Sequence, residues 1–222
     1  MSRSYGQYCG LARALNVIGD RWNLLIVRQL LLGPARYREL LEGLPGIATN
    51  LLSDRLRDLE AAGVVERQPA ADGNAVTYGL TPWGSELRGP IDGLVRWSTP
   101  LMVTGPGSDV FRAEWLAVAL PALLRGRVAV DASATIGVTV DDETFQISVG
   151  AGDVEVRRYD GRDLDATIRA EGMIILGMAS GMLDLDDILS TVQIEGHEAA
   201  IRAAFGLNAP DARPRRGRRQ GS

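Results

Sequence analysis

Residues 44–80 read LPGIATNLLSDRLRDLEAAGVVERQPAADGNAVTYGL, a helical pattern followed by two strand-like runs. In the helical part an apolar residue returns to the same side about once per turn, at Leu52, Leu56 and Leu59. This spacing is typical of a helix with one buried stripe. The pattern therefore predicts a helix over residues 49–62, which Gly63 ends.

The strand-like part predicts a β-hairpin. Residues 64–68 and 75–80 have the composition of short strands, and Asp72-Gly73-Asn74 lies between them. Such a run of small polar residues with a central glycine is a strong turn signal. We therefore expect a two-stranded ribbon directly after the helix.

Four further helices are predicted around this segment. They are a first helix buried on one side through Leu11, Leu15 and Ile18, and then helices over 21–32, 37–44 and 81–102. Asp20 is expected to cap the second of these helices. Helices joined by short turns and followed by a two-stranded ribbon predict a winged helix-turn-helix domain.

A different pattern follows Gly105-Pro106-Gly107-Ser108, which predicts a linker. We assign residues 1–105 to the winged-helix domain, 106–207 to a second domain and 208–222 to a disordered basic tail. The second domain is predicted to be α+β. Its expected helices are 111–124, 173–180, 185–189 and 197–205, and its expected strands are 135–140, 144–149, 154–159, 166–169 and 192–195.

The charges are distributed unevenly over the 222 residues. The net charge is −4, and all 24 basic residues are arginines. Residues 1–105 carry 11 arginines against 10 acids, 106–212 carry 8 against 18, and 213–222 carry 5 against none. A near-neutral front, an acidic middle and a basic tail indicate separate parts. The tail is expected either to add nonspecific DNA affinity or to be a solubilising end.

Several protein classes are excluded by composition. Cys9 is the only cysteine, so no disulfide can form within the chain. The longest apolar runs are about half of the ~20 residues that a membrane span needs. The first residues lack the apolar core of a signal peptide. We therefore expect a cytoplasmic protein without a membrane span.

The predicted helix over 49–62 has an unusual polar side. Opposite its leucines lie Asn50, Ser53, Asp54 and Arg57, which offer an amide, a hydroxyl, a carboxylate and a guanidinium. Such side chains read base edges and hold phosphates in a major groove. An ordinary solvated helix face is the alternative, and the adjoining ribbon favours DNA binding. Arg55 lies near the apolar boundary, where an internal ion pair is the alternative to a DNA contact.

The acidic half does not indicate an enzyme. The clusters 141–143 and 184–187 could bind metal or act in acid–base chemistry. A hairpin turn explains the first cluster, and the macrodipole at a helix N-terminus explains the second. His197 is the only histidine, and no glycine-rich phosphate loop or metal-binding motif is present. We expect no catalytic residues, metal or cofactor.

The second domain contains many apolar and flexible side chains. A plain hydrophobic core accounts for any one of them, but as a set they also suit a pocket for an apolar ligand. The candidate pocket residues are Trp115, Phe145, Ile147, Met173, Leu176, Met178 and Met182.

The front half resembles a known family. Four ordered blocks, CGLARALNVIGDRW (9–22), GPARYREL (33–40), LPGIATNLLSDRLRDLEAAG (44–63) and YGLTPWG (78–84), are similar to successive signatures of the HxlR winged-helix transcriptional regulators, relatives of the MarR group. The resemblance implies a homodimer, held mainly by the first and last helices of the domain. It also implies that the helix over 49–62 enters a major groove of a palindromic double-stranded operator.

The resemblance also implies roles for single residues. Ala48-Thr49-Asn50 stands where many relatives begin the recognition helix with Ser-Pro-Lys, so the usual cap and one positive charge are missing here. Thr49 is one of the candidate DNA contacts. Arg36 stands at the position of a phosphate clamp, and Arg67 and Asn74 belong to the wing. Cys9 falls at the position of the N-terminal cysteine, a redox or electrophile sensor in some members. A small buried residue at the dimer interface is the other interpretation of Cys9, and Arg13 one turn later would favour its thiolate.

The second half resembles another domain type. The order of its elements, from ETFQISVGAGDVEVRRYDG (143–161) to VQIEGHEAAIRAAFG (192–206), is similar to the sterol-carrier-protein-like domain. This implies an α+β fold with a tunnel for fatty-acyl or similar hydrophobic molecules. We therefore predict a transcriptional regulator, expected to be a repressor, that responds to a hydrophobic small molecule. The alternatives are a lipid-binding protein that dimerises through its winged helix, and a thiol sensor that acts through Cys9.

Overall fold

The computed structural model describes residues 4–70, 73 and 75–207. The chain forms two compact units, Met1–Leu123 and Leu124–Ser222. The fold is mixed α+β, with a winged helix-turn-helix in the first unit and a β-sheet domain in the second. Asn74 and the basic tail 208–222, both named in the sequence-based predictions, lie outside the described residues.

The first unit follows the predicted order of elements, except that the single helix predicted over 81–102 is divided into two α-helices and a 3-10 turn. Its helices and strands are α1 (Gly10–Ile18), α2 (Asn23–Leu30), β1 (Ala35–Arg36), α3 (Tyr37–Gly43), α4 (Thr49–Ala61), β2 (Val65–Pro69), β3 (Val76–Leu80), α5 (Pro82–Ser85), α6 (Arg88–Ser98) and most of α7 (Leu116–Leu124), with 3-10 turns at Thr99–Met102 and Ala113–Trp115.

The wing is a three-stranded antiparallel sheet in the order β1-β3-β2. The predicted hairpin supplies β2 and β3, and Val65 lies opposite Leu80. The strand β1 was not predicted, because two residues are too short for a periodic pattern. Since β1 pairs Arg36 with Thr77 of β3, it joins the start of α3 to the wing.

Two expectations for the first helices were wrong. Leu11 and Leu15 of α1 are exposed in the single chain, so this helix does not bury its leucine side within the protomer. Asp20 does not cap α2. The N-cap residue is Trp22, at a left-handed φ of 83°. The Asp20 carboxylate accepts a hydrogen bond from the Arg55 guanidinium instead.

The segment after the predicted linker packs with the first unit. The Arg28 guanidinium of α2 lies 4.2 Å from the centre of the Trp115 ring. Burial is the main reason that the pKa of Arg28 falls to about 10. Glu114 accepts a hydrogen bond from Gln29 at 3.0 Å. Residues 113–118 therefore contact the helices of the winged-helix domain. The division into separate domains at 1–105 and 106–207 stays a prediction.

The second unit matches the predicted series of strands and helices. Its elements are β4 (Ala134–Val140), β5 (Glu143–Gly150), β6 (Asp153–Arg158), β7 (Ala166–Arg169), α8 (Gly172–Ser180), α9 (Leu185–Ile188), β8 (Gln193–Gly196) and α10 (Glu198–Phe205). The sheet order is β6-β5-β4-β7-β8. The β4–β7 pair is parallel, whereas the other neighbouring strands pair antiparallel.

The core of the second unit lies on one face of this sheet. Side chains from the strands and from the helices are almost fully buried together, among them Ile136, Phe145, Ile168, Ile201 and Phe205. Burial of such large apolar groups contributes about 2 kcal/mol each to folding. A buried arginine, Arg202, forms ion pairs with Asp186 and Glu198 at the rim of this core.

Candidate nucleic-acid interface

Helix α4 buries one side and presents the other. Leu52, Leu56 and Leu59 have relative exposures of 0%, 1% and 0%. They pack into the core cluster of the first unit. Since these leucines fix the rotation of the helix about its axis, the opposite side must face outward. The side chains on that exposed side are Thr49, Asn50, Ser53, Asp54 and Arg57.

The beginning of α4 is held by a residue that the sequence analysis missed. The Tyr37 hydroxyl of α3 donates to the Thr49 carbonyl at 2.6 Å. Ser53 Oγ lies 3.1 Å from both the Tyr37 hydroxyl and the Thr49 carbonyl. Ala48, the N-cap residue, has no side-chain acceptor. Tyr37 therefore holds the N-terminal end of α4 in place. In the sequence, this role could be inferred only from a tyrosine at the first position of α3.

The two arginines of α4 have different surroundings. Arg57 Nη1 lies 3.2 Å from Asp54 Oδ1, and both side chains are more than half exposed. Such a surface pair contributes little, so the guanidinium can exchange the carboxylate for a phosphate at small cost. Arg55 is only 21% exposed and pairs with Asp20 at 2.9 Å and Asp58 at 3.2 Å. The internal ion pair considered for Arg55 is confirmed.

The wing places a second set of cations near α4. Arg67 of β2 pairs with Glu60 of α4 at 3.2 Å, and its guanidinium lies 5.6 Å from the centre of the Tyr78 ring. Arg36 is exposed at the N-cap of α3, where its backbone N–H donates to Glu39 Oε2 at 2.6 Å. Those predicted contacts that the structure describes therefore lie on two neighbouring parts, the α3–α4 region and the ribbon.

Two apolar stripes on the first unit are exposed in the single chain. One combines the N-terminal segment and α1, with Tyr8, Leu11 and Leu15 at spacings of three and four residues. The other follows α6 and the 3-10 turn after it, with Leu94, Trp97 and Leu101 at the same spacings. Groups of exposed large apolar side chains are typical of protein–protein contacts.

Cys9 lies at the N-cap of α1 and is exposed. The backbone N–H groups of Ala12 and then Leu11 lower the pKa of its thiol below the ordinary value, although the thiol forms no side-chain hydrogen bond at this N-cap. Arg13, expected to favour the thiolate, instead lies 5.9 Å from the centre of the Tyr8 ring. The groups that lower the thiol pKa are therefore backbone amides of α1. Inspection of the sequence for charged residues near Cys9 could not identify them.

The candidate ligand residues do not share one environment. Phe145, Ile147 and Met178 are almost fully buried in the second unit, and Met182 is 46% exposed. Met173 and Leu176 of α8 are half-buried. Trp115 lies in the first unit, under Arg28. The structure thus brings part of the set into one core.

The acidic clusters do not form a metal site among the residues that the structure describes, since no group of three or more His, Cys, Asp or Glu side chains could hold an ion there. The same part of the chain contains no helix that is long and apolar enough to cross a membrane.

Comparison with known proteins adds the family. Residues 17–104 match the HxlR-like helix-turn-helix family. The transcriptional regulator YodB of Bacillus subtilis is 36% identical over 102 residues, which cover 46% of this chain and 89% of YodB. The uncharacterized regulator Rv3095 of Mycobacterium tuberculosis is 39% identical over 101 residues, 45% of this chain and 63% of that protein.

Solved structures are also similar to this chain, among them one of YodB. The reduced form of YodB from B. subtilis is 33% identical, covers 45% of this chain and 99% of that chain, and has a TM-score of 0.39. The sequence matches fall on the unit that contains α4 and the wing. Because this chain spans most of YodB at this identity, the protein belongs to the HxlR-like helix-turn-helix family of DNA-binding transcriptional regulators.

Proposed function

We propose that this protein is a cytoplasmic repressor that binds a palindromic operator as a homodimer. The observation that carries the proposal is the exposed face of α4, where an amide and a guanidinium lie beside a wing with its own arginine. In a winged helix such a face supplies base contacts, and the wing supplies contacts to the backbone. The two exposed apolar stripes support the homodimer, because a second copy can cover them.

Replacing Asn50 and Arg57 together by alanine is expected to weaken DNA binding about thirtyfold. Each side chain contributes about 1 kcal/mol or more at such an interface, and the fold should remain intact because both are exposed. The measurement is fluorescence anisotropy with a DNA fragment that the wild-type protein selects from a random-sequence pool. Circular dichroism before titration checks the fold.

A matched control is the pair Gln193→Ala and Arg162→Ala, which removes one exposed amide and one exposed guanidinium from the second unit. We expect the control to bind the fragment within about twofold of wild type. If the α4 variant also bound like wild type, α4 would not be the reading helix. The lipid-binding alternative, with a winged helix used only for dimerisation, would then be favoured.

We further propose that the second unit is sterol-carrier-like and senses a hydrophobic or fatty-acyl molecule. The support is the order of its elements and the apolar set Phe145, Ile147, Met173, Leu176 and Met178, of which Phe145, Ile147 and Met178 are buried. Native mass spectrometry of the purified full-length protein tests this. A co-purifying lipid is the expected result, and failure to bind added fatty acid would contradict it.

A second candidate function is thiol sensing by Cys9, favoured by its exposure and by its lowered pKa. A thiolate reacts with oxidants and electrophiles. The modified cysteine would stand at the start of α1, which carries part of the first exposed apolar stripe. The Cys9→Ser variant should keep DNA binding and lose release by the oxidant diamide. Release of that variant at the wild-type diamide concentration would exclude the thiol mechanism.

The alkylation of Cys9 should depend on pH in a defined way. Because the folded-state pKa lies below the unfolded value, the thiolate forms at lower pH in the native protein. We expect the rate with iodoacetamide to reach half its maximum at a lower pH in native protein than in urea. The small stabilisation from this shift is present above the unfolded pKa and is lost as the pH falls through the folded pKa. Equal midpoints would mean that the helix amides do not act on the thiol.

A further inference from the structure

We infer that the second unit binds a free α-amino acid, or a zwitterion of the same size, in a polar groove on its sheet. The groove has a volume of about 210 Å³ and is lined by Thr139, Thr144, Tyr159, Leu164, Thr167, Arg169, Gln193 and Glu195. It lies on the face opposite the apolar core. The inference is therefore independent of the hydrophobic ligand proposed above.

The strand register separates the two faces of the sheet. Side chains alternate along a strand, and directly opposite residues point to the same side. Ile136 lies opposite Ile147, and Val138 lies opposite both Phe145 and Ile168, so these residues form the apolar face. The intervening positions form a polar face across all five strands, which includes Thr139, Thr144, Glu155, Thr167, Arg169 and Glu195.

Two rows of this polar face run across the strands and form the floor of the groove. In the first row, Thr144, Thr139, Arg169 and Gln193 are successive partners. In the second row, Thr167 lies between Gly137 of β4 and Glu195 of β8.

Gly137 is required for the close packing beside this floor. A Cβ atom added there would lie 2.8 Å from Leu164 Cδ1 and 3.0 Å from Thr167 Cγ2. The lack of a side chain thus lets Leu164 approach the sheet, where it lines the groove together with Tyr159. The floor is polar, and these two residues add an apolar side.

Opposite charges lie on two adjacent strands of the groove without pairing to each other. Arg169 faces Gln193, whereas Glu195 faces Thr167, so the two charged residues are diagonal neighbours. Diagonal backbone positions lie about 7–8 Å apart. Among the described residues, Arg169 donates only to the Asp141 carbonyl, at 3.1 Å, and the Glu195 carboxylate has no ion pair or hydrogen bond. The groove therefore offers one cation and one anion to a ligand.

The other polar groups indicate a small ligand with both donors and acceptors. Thr139 and Thr144 share a hydrogen bond at 2.9 Å, and the hydroxyls of Thr167 and Tyr159 have no partner in the described part of the chain. The balanced charges favour a zwitterion over a simple anion or cation. Its carboxylate would pair with Arg169 and its ammonium group with Glu195, as charge-assisted hydrogen bonds. A ligand side chain would contact Leu164 and Tyr159.

Binding is tested with the full-length protein and the common amino acids, each added singly. Thermal unfolding identifies the amino acid that stabilises the protein most, and calorimetry then gives its Kd. We expect saturable binding with one site per chain and a Kd below about 1 mM. If no amino acid bound at about 10 mM, which is well above that Kd, the inference would be overturned.

The amino acid that binds is then compared with two analogues that each lack one charge. The N-acetyl analogue removes the ammonium group and the amide analogue removes the carboxylate. We expect each analogue to bind at least about tenfold more weakly, because one charged group of the groove loses its partner. An analogue that kept the parent affinity would contradict the assigned contact and overturn the inference.

Variants assign the site to the groove. Glu195→Gln and Arg169→Gln should each weaken binding about tenfold or more. Glu155→Gln, on the same face of β6, and Arg158→Gln, on the apolar-face side of β6, are the matched controls. All four side chains are exposed, so the variants should fold. Wild-type affinity in either groove variant would place the ligand elsewhere and overturn the inference.

Discussion

Replacing Trp97 by arginine is expected to convert the proposed homodimer into monomers. Trp97 is 74% exposed in the single chain, between Leu94 at 47% and Leu101 at 70%. An interface over this stripe would bury the introduced guanidinium without a partner, which costs several kcal/mol. We expect the dimer Kd to rise about a hundredfold or more, since aromatic anchors dominate interfaces of this kind. Sedimentation equilibrium at several protein concentrations measures the Kd.

The same substitution should also reduce DNA binding. A dimer engages both half-sites at once, whereas a monomer holds a single half-site. The control is Val130→Arg, which introduces the same charge at a 76% exposed apolar residue of the second unit. We expect that variant to dimerise like wild type. A Trp97→Arg variant with unchanged association would show that the α6 stripe is not the interface.

Replacing Leu56 by alanine is expected to lower the free energy of unfolding of the first unit by about 3 kcal/mol, because it leaves a cavity in a close-packed core. Leu56 is 1% exposed and lies at the centre of the buried side of α4. The cavity would also loosen the helix that presents Asn50 and Arg57. Urea unfolding followed by tryptophan fluorescence measures the change.

The matched control for this prediction is Leu25→Ala on α2. Leu25 is 41% exposed, so its truncation should cost about 0.5 kcal/mol. A similar loss in both variants would mean that the stripe of α4 is not specially packed. A loss near zero for Leu56→Ala would contradict the assigned rotation of the helix.

Local patterns were sufficient to predict most of the fold. The spacing of the α4 leucines specified both the helix and the side that it buries, because a helix of this length repeats its pattern several times. Likewise, the turn before β3 and the alternation in β4 and β5 placed these strands within one or two residues. The predicted polar face of α4 followed from the same periodicity.

Features that depend on distant contacts could not be predicted in this way. Strand β1 exists because Ala35 and Arg36 pair with β3, which lies about forty residues later in the chain. The stacking of Trp115 on Arg28 and the binding of Asp20 to Arg55 are also long-range events. The exposure of Leu11 and Leu15 has another cause. Apolar periodicity identifies the side of a helix that is buried in a contact, but it does not show whether that contact is made within the chain or with another chain.

The most direct test of the central claim is to determine the DNA sequence that the purified protein selects from a random pool. A dimer that places α4 of each protomer in a major groove should enrich an inverted repeat, with half-site centres about one helical turn, 10 bp, apart. The Asn50→Ala and Arg57→Ala double variant should lose this enrichment. An enriched site without inverted symmetry, or no enrichment by the wild-type protein, would contradict operator recognition by a winged-helix dimer.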